Sequence, residues 1–178
     1  MERLKKFVSS LLRLVMSPLR WGYRRRNGVE GNEVRREIPN HILLGLARDM
    51  IREGHTATIA VKGYSMRPFL EHCRDRVVLA QPSRLQVGDA VLAEIAPGHY
   101  VLHRIIRLQG DEVELMGDGN VRGTEHCRRS DVAGIVTQYL RPRRTLQAAD
   151  PAMQRRIRLW RRLLPVRRYL LFIYKALI

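Results

Sequence analysis

Three polar side chains here carry the groups that acyl-transfer hydrolysis uses: a hydroxyl at Ser65, an imidazole at His103 and a carboxylate at Asp118. A serine hydroxyl is a poor nucleophile at neutral pH until a base removes its proton as it attacks. Histidine suits that task, because an ordinary imidazole titrates at about 6.5, near working pH. A carboxylate can then hold the ring tautomer and stabilise the imidazolium. Ser65 sits in Gly63-Tyr64-Ser65-Met66-Arg67-Pro68, where Gly63 permits unusual backbone angles and Pro68 fixes the chain. Such a loop leaves room for a substrate backbone and offers amide N–H groups to an oxyanion. Taken singly, each residue also has a plain structural reading: an exposed turn serine, a hydrogen-bonded core histidine in Tyr100-Val101-Leu102-His103-Arg104-Ile105-Ile106, and a turn aspartate in Gly117-Asp118-Gly119-Asn120.

The elements that must bring these groups together follow from apolar spacing. Pro39 to Glu53 has helical periodicity at Ile42, Leu43, Leu46, Ala47, Met50 and Ile51, with Gly54 as its stop. From Thr56 the chain changes to short β-rich runs punctuated by Gly, Pro, Asp and Asn: Thr58–Val61, Arg76–Ala80, Ala90–Ile95, Tyr100–Leu108, Glu112–Met116 and Ala133–Tyr139. The reading is a mainly β, α+β chain: a small barrel or sandwich with amphipathic helices at both ends.

In order, Gly63-Tyr64-Ser65-Met66-Arg67-Pro68, Gly88-Asp89-Ala90-Val91, His103-Arg104-Ile105, Gly117-Asp118-Gly119-Asn120 and Asp131-Val132-Ala133-Gly134-Ile135-Val136 resemble the boxes of the type I signal peptidase family. That family shares its catalytic fold with the LexA-type self-cleaving repressors, and the resemblance implies the coiled β-sheet or small barrel of that fold. The resemblance covers roughly Thr58 to Gln138. It implies a serine endopeptidase in which Ser65 is the nucleophile and His103 the base, as in the archaeal and endoplasmic-reticulum members rather than the lysine-base ones. The aspartate of the Gly-Asp-x-Asn turn maps to Asp118, which would orient the ring or support the turn. A further acid, slightly downstream in some relatives, has no clean counterpart; Glu125 is nearest. Lys62, three residues from Ser65, does not replace the family lysine. The resemblance implies a substrate peptide added as a strand beside Ser65.

A second reading is a LexA-like regulator that cuts itself and binds DNA, with Ala133-Gly134 as the superficially similar bond. The missing lysine base and the lack of a reader helix speak against it. A third is an inactive module recruited to membranes.

Charge separates the ends from the middle. The 178 residues carry a net charge of +16, yet residues 31–139 hold 14 basic and 14 acidic side chains. Met1–Glu30 has 8 basic against 2 acidic residues, and Leu140–Ile178 has 11 against 1. Both ends are helix-periodic: Leu4, Phe7, Val8, Leu11, Leu12, Val15 and Leu19 in the first, and Ile157, Trp160, Leu163, Leu164, Leu170, Ile173 and Leu177 in the last, where Pro165 should split the helix. Basic amphipathic helices of this kind lie in membrane interfaces. They also serve as scaffold helices with snorkelling arginines, as phosphate-binding surfaces, or as docking segments for a partner protein. The expected organisation is an amphipathic helix over 1–23, a linker over 24–38, a catalytic domain over 39–140 and a basic helical segment over 141–178. No run is long enough to span a bilayer, and Met1–Trp21 lacks a cleavage site, so a cytoplasmic, peripherally membrane-associated peptidase is expected. The expected partners are a peptide or protein substrate and an anionic membrane surface; nucleic acid is not expected. Glu71-His72-Cys73 and Glu125-His126-Cys127 lack the spacing of a zinc site, and neither metal nor cofactor is expected.

Overall fold

The computed structural model describes residues 39–177, so the helix expected over 1–23 and the linker over 24–38 lie outside the described residues. The described chain is an α+β unit whose centre is one open antiparallel sheet of eight strands. The strands are β1 (Ala57–Ala60), β2 (Arg76–Ala80), β3 (Ala90–Ala96), β4 (His99–Gln109), β5 (Glu112–Met116), β6 (Glu125–Arg128), β7 (Val132–Arg141) and β8 (Arg144–Gln147). Their order is β1-β2-β7-β3-β4-β5-β6, with β8 added to β7. The sheet ends at β1 and β6 and does not close into a barrel. Six strands lie within two residues of their sequence-based bounds; β6 and β8 were not expected.

The sheet has apolar side chains on both faces. In β3, Ala90 and Leu92 join a large core, while Val91 and Ala93 join a smaller one with Ile105, Val113, Leu115 and Val132. This is the alternation that a strand buried on both faces requires. Helix α1 (Asn40–Arg52) covers part of the larger core through Ala47 and Ile51. Its packing explains Gly134: a Cβ there would lie 2.8 Å from Ile51 Cδ1. Ala133 and Gly134 lie buried near the start of β7, where Gly134 pairs with Leu92. The rest of the α1 stripe behaves differently from expectation, since Ile42, Leu43, Leu46 and Met50 remain exposed.

The C-terminal segment completes the large core. Helix α2 (Pro151–Arg162) starts at Asp150, whose side chain accepts from the Ala152 N–H at 2.8 Å. A 3-10 turn at Leu164–Val166, containing Pro165, separates it from α3 (Arg167–Leu177), so the expected split is present. Met153, Ile157, Trp160, Leu170, Leu171 and Tyr174 are buried against the sheet and the Ser65 loop. The boundary expected at 140/141 falls at the end of β7, and the strand and helices beyond it share the larger core. Among the described residues no helix is long and apolar enough to cross a membrane.

Candidate active site

The loop after β1 presents Ser65. Gly63 has φ of +90°, a backbone that side chains resist, and its N–H donates to His72 Nδ1 at 2.9 Å. Beyond the serine, Met66, Phe69 and Leu70 are buried, and the Phe69 and Leu70 N–H groups both donate to the Met66 carbonyl. Ser65 is thus half-buried on a loop anchored from below, and among the described residues no backbone carbonyl takes its N–H. Arg67 stacks over the Tyr64 ring at 4.2 Å and pairs with Glu71 at 2.9 Å, which steadies the outer side.

The Gly117–Asn120 turn lies directly against this loop. The Gly119 N–H donates to the Ser65 carbonyl at 2.6 Å. A Cβ at 117 would sit 2.5 Å from the Ser65 carbonyl oxygen and 3.0 Å from its Cβ; one at 119 would sit 2.7 Å from the Tyr64 carbonyl oxygen. Both glycines are needed for close approach.

His103 lies in β4 opposite Val91 and is buried. Its Nδ1 is 2.9 Å from Glu125 Oε2, at the start of β6. An ionised carboxylate only accepts, so Nδ1 carries the hydrogen, and in a neutral ring the lone pair is then on Nε2. That is the tautomer a general base requires.

Asp118 pairs with Arg104, whereas the acid at the His103 ring is Glu125; of the two roles expected of Asp118, support of the turn is the one this placement fits. Arg104 Nε and Nη2 donate to its two carboxylate oxygens at 2.8 and 2.6 Å, with side-chain exposures of 1% and 2%. The Arg104 Nη1 donates to the Gly88 carbonyl at 2.7 Å. Burial works against the Arg104 charge, but the Asp118 carboxylate beside it holds the guanidinium above its ordinary range. Strand alternation explains the exchange of acids. His103 and Ile105 point to one face of the sheet, with Leu115 paired to Ile105 and Glu125 paired to Leu115. Arg104 and its partner Met116 point to the other, and Asp118 follows Met116 by two residues. Burial raises the Asp89 carboxyl, which accepts from the Gln86 N–H at 2.8 Å. The Gly88 carbonyl, Arg104 and the Gly117–Asn120 turn therefore meet at one place, against the Ser65 loop.

Two C-terminal side chains hold that place from behind. Trp160 Nε1 donates to the Asp118 carbonyl at 2.8 Å, and Arg167 Nη1 donates to the Asn120 carbonyl at 2.9 Å. Burial lowers the Arg167 pKa, against the pull of Asp118. The Tyr174 hydroxyl donates to Glu71, and burial with that carboxylate raises the phenol. None of these contacts had a signal in the sequence beyond helical periodicity.

Ser65 and His103 line one groove of about 520 Å³, with Ile59, Met66, Leu92 and Leu102 among its walls. Lys62 also lines it, but its Nζ donates to Asn40 Oδ1 at 2.8 Å. Two strand edges border the groove. Among the described residues β1 pairs only with β2, and β4 from His99 to His103 only with β3, because β5 joins at Arg104. Their outward N–H and C=O groups can receive an extended peptide. Among the described residues no three His, Cys, Asp or Glu side chains are placed to hold a metal ion. Cys73 is an exposed free thiol and Cys127 a half-buried one, the latter pushed up to about 11 by burial and Asp131. Comparison with protein-family models and with curated proteins finds no match to the chain.

Proposed function

We propose that this protein is a serine endopeptidase of the signal peptidase-like type, cleaving a peptide by acyl-enzyme chemistry at a membrane surface. The observation that carries this reading is the lining of one groove by Ser65 and His103, the latter with Glu125 on its Nδ1. An extended peptide lies between the β1 and β4 edges with its scissile carbonyl at Ser65 Oγ. His103 Nε2 takes the hydroxyl proton as Oγ attacks the carbonyl carbon, and the Ser65 N–H receives the developing oxyanion. The ring returns the proton to the leaving amine, and the acyl-serine remains. Water then attacks the ester, with His103 again as base, and the serine is regenerated. Glu125, rather than Asp118, stabilises the imidazolium in both steps. Asp118 supports the turn on which the Ser65 loop rests.

The test compares cells carrying wild-type and Ser65→Ala protein by mapping new protein N-termini. A set of N-termini lost in the Ser65→Ala cells is expected, together with unchanged folding of the variant by circular dichroism. Identical N-termini in the two cells would favour the inactive binding module.

A further inference from the structure

Helices α2 and α3 use one side for the core, and their other side is chemically distinctive. Leu170, Leu171 and Tyr174 of α3 are buried, whereas Tyr169 and Phe172 are 63% and 75% exposed. Val166, one turn before Tyr169, is exposed as well, as is Leu164. Packing within the described residues gives no reason for two bare aromatic rings on this face. From Pro151 to Ile178 the chain carries eight Lys/Arg and no Asp/Glu. Of these, Arg155, Arg158, Arg162, Arg168 and Lys175 are exposed, and the Arg168 guanidinium lies 5.5 Å from the Tyr169 ring centre.

We infer that the outward face of α2 and α3 is a docking surface for an anionic lipid bilayer. Tyr169, Phe172 and Val166 enter the headgroup–acyl boundary, and the surrounding basic side chains meet lipid phosphates. Charge complementarity sets the sign of the partner, and the apolar centre sets its kind. A polyanion without an apolar interior, such as RNA, would satisfy the arginines and gain nothing from Val166 or Leu164. A bilayer supplies both. The inference deepens the placement at a membrane proposed above by assigning the face. It also joins that face to the site, since Arg167 of the same helix holds the Asn120 carbonyl.

The test reads the face itself, because residues 1–38 carry their own basic character and would bind vesicles independently. In full-length protein with Cys73→Ser and Cys127→Ser, Phe172→Cys is labelled with an environment-sensitive fluorophore, and Gln109→Cys serves as the comparison label. Vesicles of phosphatidylglycerol and phosphatidylcholine are expected to blue-shift the label at 172 and not that at 109, with no shift from phosphatidylcholine alone. In unlabelled protein, Tyr169→Ser with Phe172→Ser should weaken vesicle binding about tenfold. Vesicle binding without a shift at 172 would overturn the assignment, as would a shift produced by an RNA oligonucleotide and not by vesicles. Cleavage is not measured, so failure here leaves the Ser65 chemistry standing.

Discussion

His103 and Arg104 are neighbours on one strand, and each holds a carboxylate, yet the two pairs live in opposite surroundings. His103–Glu125 is at a groove wall, with Glu125 27% exposed, while Arg104–Asp118 is sealed between the sheet and α2. A sealed ion pair fixes geometry at the cost of desolvation and has no access to substrate. A half-open pair can gain and lose a proton during turnover. Under the proposed mechanism Glu125 serves the chemistry and Asp118 the architecture, although the two residues lie only seven positions apart.

Substitutions can break that comparison. The largest effect is expected for Asp118→Ala, which leaves the Arg104 charge buried without its partner. Losses of about 3–5 kcal/mol are typical of such changes, and denaturant melts should show one. Activity should fall only with the folded fraction. Next, Glu125→Gln should lower kcat roughly a hundredfold with little change in KM and a melt close to wild type, measured on a peptide carrying a mapped cleavage site. If Asp118→Ala spared stability and removed turnover, while Glu125→Gln did neither, the roles would be reversed.

Smaller changes sharpen the account. Gly117→Ala places a methyl 2.5 Å from the Ser65 carbonyl oxygen and should cost about 1–3 kcal/mol, with kcat reduced beyond the loss of folded protein. Trp160→Phe keeps most of the buried ring but removes the N–H that serves the Asp118 carbonyl. A loss of about 1–3 kcal/mol is expected, read as a lowered melting temperature.

That Ser65 and His103 line one groove was legible through the resemblance of their boxes to the signal peptidase family, since singly a turn serine and a histidine in an apolar strand each have a plain structural reading. The acid at the ring was less so, since Glu125 is only the nearest match to a downstream acid of that family. Glu125 reaches His103 through the β4-β5-β6 register, and β6 (Glu-His-Cys-Arg) lacks the apolar alternation that marks a strand. Asp118 stood out for its turn, but a turn composition says nothing about which face of the sheet its carboxylate serves. The C-terminal helices show a different limit. An apolar stripe fits a protein core and a bilayer equally well, since burial is non-directional. Pro165 did announce the split between α2 and α3, because its missing N–H acts locally. Ile157, Trp160 and Leu170 went to the core; Tyr169 and Phe172, on the same helices, did not.

The most direct measurement is the labelling of wild-type and His103→Ala protein by a fluorophosphonate, read by intact mass and peptide mapping. One adduct on Ser65 is expected in wild type, with labelling of His103→Ala slowed by at least about a hundredfold at an unchanged melting temperature. An unmodified Ser65 in folded wild-type protein, or equal labelling of the two proteins, would contradict the Ser65–His103 pair.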